Sequence, residues 1–226
     1  MSVTAAVFAS QPDGRLKYGT YSADGELKST DIATPTISND STYVYMVPAG
    51  EGEKSDDDRA GQSALNLSHY LYDGKLWIPL RSNLSALPDE LSRATADAES
   101  GVKVEFTEIS GTDFFIPLEV REGDRLSDAS MTCRMRVGGN DGSTVDMPPM
   151  TITMKGEVLA PRRIITPAGV YDCSVVRISV KVKMSIISMT ERMVLCFVPE
   201  TGLVVREESV TRKGKITEYM QLEGSM

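Results

Sequence analysis

From residue 176 to 186 the apolar side chains Val176, Ile178, Val180, Val182, Met184 and Ile186 alternate with the polar Arg177, Ser179, Lys181, Lys183 and Ser185. A period of two predicts a strand with one buried and one wet face. Immediately upstream the apolar positions are odd, namely Tyr171, Cys173 and Val175. The pattern therefore changes parity at Val175-Val176, which predicts a bulge that bends the strand there. Residues 193–198 are apolar on both parities, as expected of a strand covered on both faces. Ile216, Met220 and Leu222 return to alternation, and Pro-Ala-Gly, Pro-Glu-Thr-Gly and Arg-Lys-Gly separate the runs. Residues 162–222 thus predict an antiparallel meander, one face of which needs cover from the rest of the chain.

The earlier residues repeat the pattern with shorter runs. Asp13-Gly14, Asp24-Gly25 and Asp73-Gly74 punctuate β-prone stretches at 15–22, 27–36, 65–72 and 75–80, with a further strand at 41–47. Asp-Gly between such runs is a strong hairpin signal. Strands are also expected at 101–109, 114–120, 127–137 and 151–160, with Gly138 to Gly142 closing a hairpin. One short helix is predicted over 88–98, where Pro and acids precede good helix formers. Residues 48–62 are acidic, Gly-rich and too poor in apolar side chains to pack, so a mobile loop is expected there. The expected architecture is all-β: a curved antiparallel sheet or partly open barrel of about a dozen strands with one short helix. A flexible tail at 1–12 would precede a single β-rich domain at 13–226.

Charge narrows the partners. The net charge is −8, and residues 1–100 hold 8 basic and 15 acidic side chains against 16 and 17 in residues 101–226. A phosphate backbone would be repelled, which argues against nucleic acid. No apolar run approaches the ~20 residues a spanning helix needs. The first ten residues are small and apolar but carry no Lys or Arg, so they read as the remnant of a trimmed precursor or as a first edge strand.

Candidate chemistry is sparse. His69 is the only histidine, which excludes a metal site built on several imidazoles. It reads as a partly buried strand residue. Asp56-Asp57-Asp58 reads as a solvated loop, because three adjacent carboxylates cannot all face one cation. Cys133, Cys173 and Cys196 are too few and wrongly spaced for a disulfide framework. With a hairpin turn near Ser188-Met189, Cys196 would face Lys181, more than about 25 Å from Cys173 along the strand. Buried free thiols are expected. No nucleophile motif is present, and neither a metal nor a cofactor is expected.

Ile165-Thr-Pro-Ala-Gly-Val-Tyr-Asp-Cys173, then Phe197-Val-Pro-Glu-Thr-Gly-Leu-Val-Val205 and Lys213-Gly-Lys-Ile, form a series of turn motifs. Together with the opening hairpin at Leu16 to Lys28, the series resembles the TapB-like, lipoprotein-like envelope domains of unknown function. The resemblance implies a Gram-negative envelope protein, often a lipoprotein, with a curved sheet distantly similar to the LolA and LolB carriers. It implies a location in the periplasm or at the outer membrane, with any export signal removed from this chain. Two departures stand out: the sequence holds no lipobox cysteine ahead of the first hairpin, and Cys196-Phe197-Val198 stands where aromatic residues are usual.

The expected function is non-enzymatic: an apolar or lipid ligand bound on the curved sheet. Trp77, Val182, Met184, Ile186 and Phe197 are the candidate lining residues, because their parity can bring them to one side. The alternative is a protein-interaction or assembly module of the envelope that uses the acidic first half or an exposed sheet edge.

Overall fold

The computed structural model describes residues 14–38, 41–48, 69–81, 84, 103–139 and 143–225. The predicted helix at 88–98, nearly all of the acidic loop and the N-terminal tail lie outside them. The described residues are almost entirely β. The first strands are β1 (Leu16–Ser22), β2 (Leu27–Ser38), β3 (Ser41–Pro48), β4 (His69–Tyr72), β5 (Lys75–Ile78), β6 (Lys103–Gly111) and β7 (Phe114–Pro117). They are followed by β8 (Ala129–Gly138), β9 (Thr144–Asp146), β10 (Met150–Thr166), β11 (Gly169–Met184), β12 (Ile187–Phe197), β13 (Val204–Val210) and β14 (Ile216–Ser225). The predicted meander is present as β10 to β14.

All pairings are antiparallel, and thirteen strands follow one path, β6-β8-β10-β11-β12-β13-β14-β1-β2-β3-β4-β5-β7, with β9 pairing β8 off it. The two ends of this path are consecutive in the chain, joined only by Thr112 and Asp113. Laid flat, thirteen strands would separate those ends by roughly 55–60 Å, whereas a two-residue link reaches about 10 Å. The sheet must therefore curl until its edges meet. β6 and β7 do not pair, so the curl stops short of a closed barrel. The seam is pinned by the Thr112 amide donating to the Ser130 carbonyl at 3.0 Å and the Arg81 amide donating to Asp113 Oδ1 at 3.1 Å.

The core fills the inside of the curl. Tyr18, Leu76, Phe114, Met131, Met154, Ile178 and Phe197 are buried there with side chains from every other long strand. Gly156 in β10 lets the Phe114 ring and Leu126 lie against the strand, since a Cβ would come within 2.9 Å of Phe114 Cζ.

Two register expectations are corrected. The bulge lies in β10, not in β11: Leu159 faces Val175 and Arg162 faces Cys173, while the β11–β12 ladder runs unbroken. Pro161 has no N–H to give the ladder, and the extra residue is accommodated beside it. Residues 150–166 consequently form one bent strand rather than two. Its far end is brought against β13, where Arg162 Nη1 donates to Glu208 Oε2 at 3.2 Å. That cover buries Val175 as well as Val176 and explains why β12 is apolar on both parities.

The β11–β12 turn is at Ser185-Ile186, not Ser188-Met189, with Met184 facing Ile187 and Ser185 at φ +52°. Cys196 accordingly faces Val175, two residues from Cys173. The thiols are nearer than expected, yet all three cysteines are free and buried. Burial pushes the Cys173 thiol up to about 11 and Cys196 to about 12. Thiolate is the reactive form, so a disulfide reagent such as DTNB should leave the native protein unlabelled at neutral pH and titrate three thiols in denaturant. Rapid labelling of the native protein would contradict this burial.

Candidate binding cavity

A cavity opens between the two halves of the curl. Tyr18 (β1), Val44 (β3), His69 (β4) and Leu76 and Ile78 (β5) form one wall. Ile178 (β11), Met193 and Leu195 (β12), Val204 and Glu207 (β13) and Met220 (β14) form the other. Strand alternation delivers each of them inward: Leu76 and Ile78 flank outward Trp77, and Leu195, Glu207 and Met220 are successive cross-strand neighbours. Counted out to its open mouth, the empty space is about 500 Å³. The part wide enough for a water-sized body is small, with room for about two waters.

Three polar groups enter this apolar lining, and only one is satisfied. The Tyr18 hydroxyl donates to the Val204 carbonyl at 2.7 Å, and burial raises its pKa. His69 and Glu207 have no hydrogen-bond or ion-pair partner among the described residues. Both are half-buried and keep some surface toward the cavity. Desolvation lowers the His69 imidazole to about 4, leaving it neutral near pH 7, and raises the Glu207 carboxyl above its ordinary value. Buried polar groups are normally paired.

Glu208, one residue on and facing the other side of β13, shows the contrast. It is 5% exposed and is held by Arg162 and by Arg206 Nε at 2.9 Å, while Arg206 lies over the Tyr219 ring at 3.8 Å. Glu208 is a satisfied structural carboxylate, whereas Glu207 is aimed into a cavity and unpaired. No cysteine lines the cavity, and no cluster of metal-ligating side chains occurs among the described residues.

The five residues singled out by strand parity lie elsewhere. Trp77 is on the outer face of β5, parallel to Tyr70 with ring centroids 5.8 Å apart and 5.0 Å from Phe115, its Nε1 donating to the Tyr72 carbonyl at 3.4 Å. Phe197 is fully buried core. Val182 and Met184 are half-buried toward the free end of the β11–β12 hairpin, and Ile186 is in its turn, 96% exposed. None of the five lines the cavity. His69 was visible in the sequence as a lone histidine, but nothing local distinguishes an inward from an outward imidazole. Glu207 stands in Val-Val-Arg-Glu-Glu, where both parities are buried or paired, so only its register against Leu195 reveals its direction.

The DUF3108-like family matches residues 87–222, more than half of the chain. The chain belongs to the DUF3108-like family. Six of the eleven cavity residues, from Ile178 to Met220, fall within the DUF3108-like region, and the other five come from residues before it. The family shown is therefore DUF3108-like, and the TapB-like name and the LolA and LolB likeness stay at the level of turn-motif resemblance. Among solved structures, the chain is similar to a candidate exported protein with a YmcC-like fold from Bacteroides fragilis, at 16% identity, TM-score 0.49 and 94% coverage of each chain. It is similar to a candidate lipoprotein from Parabacteroides distasonis with the same identity, TM-score and coverage. It is also similar to the hypothetical lipoprotein YmcC from Escherichia coli at 11% identity and TM-score 0.40, covering 100% of this chain and 97% of that one. No curated protein matches the chain. No helix among the described residues is long and apolar enough to cross a membrane.

Proposed function

We propose that this DUF3108-like chain is a non-enzymatic binding domain of the cell envelope, which holds a slender apolar molecule inside the curl with its small polar end toward His69 and Glu207. The observation that carries this reading is a largely apolar cavity into which two ionisable side chains project without partners. Buried polar groups left unpaired cost free energy that a ligand's hydrogen bonds relieve, and apolar walls with a few convergent polar groups are the usual build of a small-molecule site. The room present is that of about two waters, so an unbranched chain, which needs the least widening, is the guest that fits once the lining gives way. Met193 and Met220, flexible and only partly buried, supply the adjustment a guest requires. A carboxylate or phosphate head is disfavoured beside Glu207, whereas a hydroxyl or amine is compatible with both groups. The turn-motif resemblance to exported envelope domains supports the location.

Native mass spectrometry of the protein isolated from its own host, followed by organic extraction, tests the reading. We expect a discrete added mass that extracts with solvent and is lost when Met193→Trp fills the cavity of a still-folded chain. A bare mass for the wild type, or an added mass that Met193→Trp leaves in place, would overturn it and favour an assembly module.

A further inference from the structure

The free end of the β11–β12 hairpin is built unlike the rest of the surface. Ile186, Ile187 and Met189 are 96%, 65% and 55% exposed, the densest run of exposed large apolar side chains on the described surface. They are not isolated. The cross-strand pairs Val182–Met189 and Met184–Ile187 share the side that carries Ile178 and Met193 into the cavity, so one apolar face runs from the core out to the turn, interrupted by Glu191. β13 accompanies β12 only as far as Met193, and among the described residues no strand pairs with residues 187–192 on that edge.

The charges follow the same geometry. Residues 181–192 hold Lys181, Lys183 and Arg192 against the single acid Glu191, in a chain of net charge −8. Exposed basic side chains on β8, β10 and the part of β11 nearer the core are paired: Arg134 with Glu108, Arg136 with Asp146, Lys155 with Asp128 and Arg177 with Glu157. Lys181, Lys183 and Arg192 have no partner among the described residues. Unpaired cations therefore stand beside the protruding apolar side chains, and the β13–β14 turn, which follows the end of the β12–β13 ladder, adds Arg212, Lys213 and Lys215, likewise without a partner among the described residues. Lys181 and Lys183 alternate with the apolar positions and point away from them.

We infer that this hairpin tip is a docking device for an anionic lipid surface, with Ile186, Ile187 and Met189 seated among the acyl chains and Lys181 and Lys183 at the headgroups. Interfacial segments bury their apolar face by about 5–10 Å. Lys183 stands two residues behind the turn, about 7 Å at strand rise, and Lys181 about as far again. Both ammonium groups therefore reach the phosphate level when the tip is seated. The chain as a whole is acidic, at net charge −8, so an anionic surface favours an approach through the unpaired cations of this end. The inference does not depend on a ligand in the cavity.

The test uses the full chain with vesicles of phosphatidylcholine mixed with phosphatidylglycerol and with vesicles of phosphatidylcholine alone, in a flotation assay. The wild type should float with the anionic vesicles and stay in solution with the neutral ones. Ile186→Ser/Ile187→Ser/Met189→Ser and Lys181→Glu/Lys183→Glu should each weaken the association by about tenfold or more, with unchanged thermal midpoints. Met193→Trp should float as the wild type does, which separates this surface from the cavity. A wild type that ignores anionic vesicles, variants that float equally well, or a hairpin-dependent dimer in their place would overturn the inference.

Discussion

Lowering the pH from about 6.5 to about 4 is expected to weaken the native state by about 3 kcal/mol through His69 alone. The imidazole titrates at about 4 in the folded chain because burial penalises the cation, against an ordinary value of 6.5. Between those values the unfolded chain binds a proton that the native chain does not, so stability rises with pH in this window and falls as the pH drops. Above the ordinary value both states are neutral at His69 and its contribution is complete. Glu207 works in the opposite direction: its folded pKa is raised by desolvation, so protonation on acidification favours the native state. The Glu207→Gln background removes that offset. Urea titrations of Glu207→Gln and His69→Gln/Glu207→Gln near neutrality and near pH 4 should show the histidine-containing chain losing about 3 kcal/mol more than its partner. Equal losses in both chains would mean that His69 is solvated, and the cavity would then lose one of its two unpaired groups.

Gly111→Ala should destabilise the protein by at least about 3 kcal/mol. For a chain of this size that corresponds to a fall of roughly 6–12 °C in thermal midpoint. Gly111 ends β6 at φ +135°, a conformation L residues rarely adopt, and an added Cβ would collide with the Ser130 carbonyl and come within 2.8 Å of Met131 Cα. Both obstacles are backbone, so no rotamer change relieves them. The Ser130 carbonyl is also the acceptor for the Thr112 amide at the seam, which ties the strain to the point where one sheet edge becomes the other. Gly123 is the control: it too has a positive φ, +88°, but nothing lies within 4 Å of a Cβ there. Gly123→Ala should cost only the backbone preference, about 1 kcal/mol. Similar midpoints for the two variants would show that the crowding at Gly111 relaxes and that the seam is looser than described.

Strand existence was legible for every described strand except the three-residue β9, because alternation is a local property: apolar side chains two residues apart mark a face wherever the chain is extended. Residues 15–22, 75–80 and 176–186 announced their strands in this way, and the meander and the all-β class followed. The paired Val175-Val176 also marked, correctly, a place where the strand changes its buried side. What alternation could not say is which partner strand carries the extra residue. That was decided by Pro161, whose missing N–H interrupts the β10 ladder across the hairpin.

The sequence by itself determined the fold class, the strand order of the meander and the isolation of its one histidine, since periodicity, turn residues and composition are read along the chain. Only the tertiary structure decided where the cavity lies. The curl brings β4 and β5 opposite β12, β13 and β14, and residues as distant as His69 and Glu207 come to line one space. Their inward direction follows from cross-strand register, which a shift of one residue would reverse, and register is set by hydrogen-bonded neighbours far away in the chain. The same holds for Ile186, which continues the buried parity of Val176 to Met184 in sequence yet is 96% exposed, because the strand has turned before reaching it.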